Sequence, residues 1–128
     1  MILLLDTATP VCKLTLIDGN LVIHDEWHAG RELAKELLGY LNTQLAATER
    51  TFDDLSGIAA FRGPGSFTGL RIGLTVLNTA AETLGIPIVG TTGDAWKEEA
   101  IQRLQSGEND RLVMPLYGSN ATITKPRK

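Results

Sequence analysis

The chain is short of cysteine, of histidine and of long apolar runs. Its one cysteine, Cys12, cannot form an internal disulfide, and in an apolar strand pattern it reads as a small buried hydrophobe. Its two histidines, His24 and His28, lie in a segment that reads as a strand. There, residues four apart sit roughly 13 Å from each other, too far to share one zinc ion. No apolar stretch approaches bilayer length, and Met1-Ile-Leu-Leu-Leu meets Asp6 too soon for a signal peptide. The cytoplasm is therefore the expected compartment, no membrane partner is expected, and the Asn120-Ala-Thr122 sequon has no glycosylation role. Excess positive charge is missing too. A net charge of −3 over 128 residues gives no drive toward phosphate backbones, so RNA would be reached through a partner or through the basic end, Lys125, Arg127 and Lys128. That end otherwise reads as a solvated tail.

What the chain does have is the stretch 62–74, Arg-Gly-Pro-Gly-Ser-Phe-Thr-Gly-Leu-Arg-Ile-Gly-Leu, between a short apolar run and a long helical pattern. It reads as a strand end, a tight turn and a helix start. Gly63 and Gly65 permit unusual backbone angles, Pro64 stiffens the turn, and Ser66 stands where an N-cap belongs. Backbone N–H groups converging there could hold an anion, although a strand-to-helix turn needs glycine whether or not it binds anything. There is no Gly-Lys-Ser/Thr of a Walker loop, and the spacing Gly63, Gly65, Gly69 is one residue too long for the dinucleotide fingerprint. Pro64 and Thr68 stand where a serine nucleophile elbow around Ser66 wants glycine.

Along the chain, strands are expected over Ile2–Leu5, Val11–Ile17 and Leu21–Trp27, with Asp18-Gly19-Asn20 as a hairpin turn. A helix is expected from about Arg31 to Ala47, then a turn over Thr51–Leu55 with Asp53 and Asp54, and a strand over Gly57–Phe61. A second helix spans about Phe67 to Leu84, stopped by Gly85 and Pro87. Ile86–Val89 reads as a strand, Asp94–Leu104 as a third helix carrying a core Trp96, and Leu112–Tyr117 as one further strand. A chain of this length reads as one domain, without repeats or low-complexity tracts.

Both long helices are apolar over more of their circumference than one sheet needs. On the first, Leu33, Ala34, Leu37, Leu38, Tyr40, Leu41 and Leu45 cover about half the turn at about 100° per residue. On the second, Ile72 and Val76 make one edge and Leu70, Leu74, Leu77 and Ala81 the other, with Gly69, Gly73 and Ala80 as a small-residue seam. So short a domain has little else to cover two such helices, so a partner surface is expected there. The residues expected to carry it are Leu33, Leu37, Tyr40, Leu41, Leu70, Arg71, Leu74 and Leu77.

The stretch Arg62–Leu74 resembles the signature of the TsaB (YeaZ) family. Leu4-Leu5-Asp6-Thr7-Ala8-Thr9, Arg31-Glu32 before Leu37-Leu38, Thr51–Leu55 and Leu84-Gly85-Ile86-Pro87-Ile88-Val89-Gly90 resemble it too. The resemblance implies one actin-like ATPase (ASKHA, RNase H-like) subdomain, a mixed five-stranded α/β sheet with helices on its faces, over residues 1–104. Residues 105–128 would form a short loop, extra strand and basic tail in place of a second domain. It implies a noncatalytic subunit that pairs through the two long helices with TsaD, the transferase that places threonylcarbamoyl on the tRNA adenosine beside the anticodon. Pairing with itself through the same helices and contact with TsaE are further implied partners, with tRNA reached only indirectly. No cofactor is expected in the isolated chain, while a nucleotide site shared with a partner stays open around Asp6, Gly63, Gly65 and Ser66. Asp6 holds the place of the magnesium-proximal aspartate of actin-like ATPases, but it also reads as a plain turn residue. Leu33 departs from the histidine many members carry after Arg-Glu. Two alternatives remain: a small nucleotide-binding or glycoprotease-like enzyme built on Asp6 and the glycine turn, and a self-pairing structural module.

Overall fold

A computed structural model of the chain describes residues 1–116. The basic end and the sequon lie outside the described residues. Five strands and three helices follow in the order β1 (Ile2–Asp6), β2 (Val11–Asp18), β3 (Leu21–His28), α1 (Leu33–Ala47), β4 (Gly57–Phe61), α2 (Phe67–Leu84), β5 (Ile88–Thr91) and α3 (Trp96–Gln105). The strands form one mixed sheet in the order β3-β2-β1-β4-β5. β2 runs antiparallel to β1 and β3, while β1, β4 and β5 are parallel. This is the mixed five-stranded α/β sheet that the family resemblance implies.

β1 is apolar from Ile2 to Leu5, as suits a strand with helices covering both faces of the sheet beside it. Leu3, Leu5, Leu14, Leu16, Ile58, Ala60 and Ile88 enter one core with α1 and α2. On the other face Leu4, Ala59 and Val89 meet Trp96 and Ala100 of α3. The helix boundaries are set locally. Ser66 Oγ accepts from Gly69 N–H (3.3 Å) at the start of α2, and Gly85, at φ 68°, ends it in the left-handed conformation. Between α1 and β4, Thr51 and Asp54 cap a short 3-10 turn reciprocally, which fixes Phe52 over the helices.

Three local expectations change. β5 begins at Ile88 rather than Ile86, since Pro87 has no N–H to give a ladder. α3 begins at Trp96 rather than Asp94, with no side-chain cap. Residues 112–116 form no strand; Tyr117, the last residue of that expected strand, lies outside the described residues. The stretch instead leaves the β5 edge and crosses the ends of β4 and β5, where Leu116 N–H donates to Arg62 O (2.6 Å).

Candidate docking surface on the two long helices

Each long helix spends one narrow leucine stripe on the sheet. On α1 it is Leu33, Leu37, Leu41 and Leu45; on α2 it is Leu70, Leu74, Leu77 and Ala81, with Gly73 between. Six of the eight residues expected to meet a partner therefore sit in the chain's own core. Leu33, Leu37, Leu41, Leu70, Leu74 and Leu77 expose no more than 6% of their surface. With so little accessible surface, these leucines hold the helices on the sheet and offer a partner almost nothing to touch. Tyr40 is half-buried on the β3 side of α1. Its ring stacks on Trp27 at 4.8 Å and its hydroxyl donates to Asp25 Oδ2 at 2.5 Å. Burial first, then that bond to an anion, push its phenol far above the ordinary range. Arg71 alone of the eight is fully outward, its guanidinium 5.0 Å from the ring centroid of Phe67.

The apolar surface left open lies along the opposite edge of α2. Leu38 of α1, Phe52 of the 3-10 turn, and Thr75, Val76, Thr79, Ala80, Thr83 and Leu84 of α2 line a groove of ≈ 400 Å³. Leu38 is 55% exposed although both neighbouring stripe positions are buried. A second concavity of ≈ 320 Å³ follows toward the start of α2, between Arg31, Thr68 and Ile72. Phe52, to which the sequence pattern assigns no role, joins Thr75 and Thr79 in lining the first groove. The signal for Phe52 was the Thr-x-x-Asp spacing of Thr51 and Asp54, which pins the turn that carries it. Threonine, with one methyl beside its hydroxyl, lines an apolar groove as readily as it faces water.

Three N–H donors of the glycine turn and the first turn of α2 bond within the chain. Ser66 N–H donates to Ala8 O (2.8 Å), Gly69 N–H to Ser66 Oγ, and Leu70 N–H to Ser66 O (2.9 Å). A Cβ on Gly65 would collide with Ala8, and one on Gly69 or Gly73 with Thr7. A Cβ on Gly63 would strike the Leu116 carbonyl, and its φ of 121° is open to glycine alone. These glycines let the β1–β2 turn lie directly on the start of α2 and residue 116 on the turn that precedes it. Asp6 accepts from Ala8 N–H (2.8 Å), closing that same turn.

On the other face, Thr15 Oγ1 lies 3.0 Å from His24 Nδ1 and accepts from Lys97 Nζ at 3.1 Å. His24 and His28 stand on one face of β3 with Glu26 between them. No group of three or more potential metal ligands exists among the described residues. Cys12 is buried; burial first, then Asp6 and Asp25, push its thiol up to about 12. No helix among the described residues is long and apolar enough to cross a membrane.

Fold and sequence comparisons agree. Residues 27–93, just over half of the chain, match the family model of TsaD, tRNA N6-adenosine threonylcarbamoyltransferase. The tRNA threonylcarbamoyladenosine biosynthesis protein TsaB of Escherichia coli is 30% identical over 118 residues, which cover 87% of this chain and 51% of that protein. Its Haemophilus influenzae counterpart is 29% identical, covering 98% of this chain and 56% of that one. The solved structure of YeaZ from Pseudomonas aeruginosa superposes with a TM-score of 0.69 at 28% identity, over 82% of this chain and 49% of that one. The α/β sheet and the TsaD match define an actin-like subdomain of the TsaD type. Within that class the chain belongs to the TsaB (YeaZ) family. It spans about half the length of the curated relatives it matches.

Proposed function

We propose that this chain is a noncatalytic docking subunit in tRNA threonylcarbamoyladenosine synthesis, and that it pairs with a TsaD-type protein through the outer face of α1 and α2. The observation that carries the proposal is the groove between Leu38, Val76, Ala80 and Leu84, which is apolar and left uncovered by the described residues. A partner helix laid in it would bury what these side chains still expose, at about 25 cal/mol per Å² of apolar surface covered. Docking then favours whichever partner arrangement presents the matching helices and shifts its population toward that state. The names of the relatives supply the pathway.

Sedimentation of the chain mixed with a TsaD-type protein of the same organism tests this. Val76→Asp should abolish the complex while leaving the circular dichroism of the chain unchanged; a complex that survives contradicts docking through this groove. Self-association of the chain alone, lost in the same variant, would favour the self-pairing alternative.

The enzymatic alternative draws less support. The N–H groups of Ser66 and Gly69 and an oxygen of Asp6 are engaged within the chain. Calorimetric titration of the chain with ATP and magnesium should give no micromolar binding; a micromolar Kd would overturn the noncatalytic role.

A further inference from the structure

The outer edge of β5 is closed mostly by side chains. Ile88 and Gly90 point their backbone groups away from β4, whereas Pro87 and Thr91 turn their carbonyls toward it, accepting from Ile58 and Arg62 N–H at 3.0 Å. Each outward group has a partner. Ile88 N–H donates to Asn109 Oδ1 (3.1 Å) and Ile88 O accepts from Asp110 N–H (2.8 Å). Gly90 N–H donates to Asp110 Oδ2 (2.9 Å) and Gly90 O accepts from Arg103 Nη1 (3.2 Å). Arg103, on α3, is the keystone, because it also pairs with both Asp110 oxygens and with Glu108 Oε1. The chain then runs on to α2. Asn78 accepts from Val113 N–H (2.9 Å) and donates to Val113 O (3.0 Å), and Val113 packs over Gly90, whose missing Cβ leaves it room. Arg62 Nε holds Met114 O at 2.9 Å.

The geometry points to a strap. Residues 108–116 form a separately opening unit that stands in for a sixth strand, and its release bares the β5 edge while the rest of the sheet stays folded. Three features separate it from the body. Its bonds to β5 are mostly made by side chains, so they part without breaking a ladder. Leu112 and Met114 are about 60% exposed, so opening uncovers little apolar surface beyond Val113. Gly107, at φ 85°, follows Ser106, the C-cap of α3, and offers a hinge. An unpaired, apolar β5 edge is a template for another chain, which a closed strap prevents.

Amide hydrogen exchange on the full chain, without any partner, tests this independently of the docking proposal. In wild type under low denaturant, the Ile88, Gly90, Asp110, Val113 and Leu116 amides should share one opening, easier than that of Leu4, Ala59 and Ala60. Along β5 protection should alternate, with Val89 and Thr91, bonded toward β4, exchanging slowly. Asn78→Ala removes two neutral hydrogen bonds and should speed the strap amides about tenfold or more, leaving β1 and β4 within about twofold. Strap amides that open together with β1 and β4 in wild type, or a variant that speeds all amides equally, would overturn the strap. The wild-type measurement decides even if the variant folds poorly.

Discussion

Gly73 faces Thr7 so closely that no side chain fits between them. Thr7 Oγ1 donates to Gly69 O at 2.7 Å, so the β1–β2 turn is bonded to α2 and pressed against it at adjacent rungs. Gly73→Ala should therefore destabilise the chain by about 1–3 kcal/mol, the usual cost of overpacking, despite alanine's better helix propensity. Thr7→Ala alone should cost about 1 kcal/mol for the lost bond. The double variant should cost less than the two together, because the collision is largely with the Thr7 side chain. Gly69→Ala should stay costly in the Thr7→Ala background, since its collision is with the Thr7 carbonyl. Urea unfolding of the four variants checks the pattern, and strict additivity for Gly73 would refute the contact.

A charge on the leucine stripe and a charge in the groove should behave oppositely. Leu74→Asp places a carboxylate in the core and should cost about 3–5 kcal/mol, enough to unfold much of the chain. Leu38→Glu adds a charge where the side chain is already half in water and should change stability by less than about 0.5 kcal/mol. Thermal melts of both variants check this, and a folded Leu74→Asp chain would restore Leu74 as a candidate docking residue.

The strap should give stability an acid limb. Burial works to raise the Asp110 carboxyl, but its bonds to Arg103 and to Gly90 N–H outweigh this and hold it below its ordinary 3.8. A group depressed on folding contributes stability that is present above its unfolded pKa and lost as pH falls through the folded one. Wild type should therefore lose stability below about pH 4. Asp110→Asn should lose part of that dependence, while being less stable at pH 7. Denaturation midpoints from pH 7 down to pH 3 measure this; parallel curves for the two proteins would refute it.

Cys12 should be inert. With its thiol pushed up to about 12 and its side chain buried, almost none is thiolate at pH 8. Ellman's reagent should label the native chain orders of magnitude more slowly than the chain in guanidinium. Rapid native labelling would show that the core opens readily around β2.

Much of the architecture is legible in the order of residues, because its signals are local. The Ser66 cap and Gly85 bracket α2 at its observed ends, and Gly57–Phe61 is bounded by a turn on one side and glycines on the other. The exposed edge of α2 is not legible. Leu70, Leu74 and Leu77 compete with Ile72 and Val76 as apolar edges, and only packing on the sheet decides between them. The longer leucines take the sheet and leave Val76 and Ala80 at the groove. The strap is hidden for a different reason. Asn78 meets Val113, and Arg62 meets Met114, across long stretches of chain, and no periodicity announces a strand replaced by side chains. The spacing of Gly63, Gly65 and Gly69 fits no known phosphate loop, and the structure gives these glycines and Gly73 another task, since each faces a different part of the same chain.

Docking through the groove is tested most directly by mapping the amide signals of the chain as an unlabelled TsaD-type protein is added. Changes should concentrate at Leu38, Thr75, Val76, Thr79, Ala80 and Thr83, with β3 and α3 silent. Changes centred instead on β3, or on Asp6 and the glycine turn, would contradict docking through this groove.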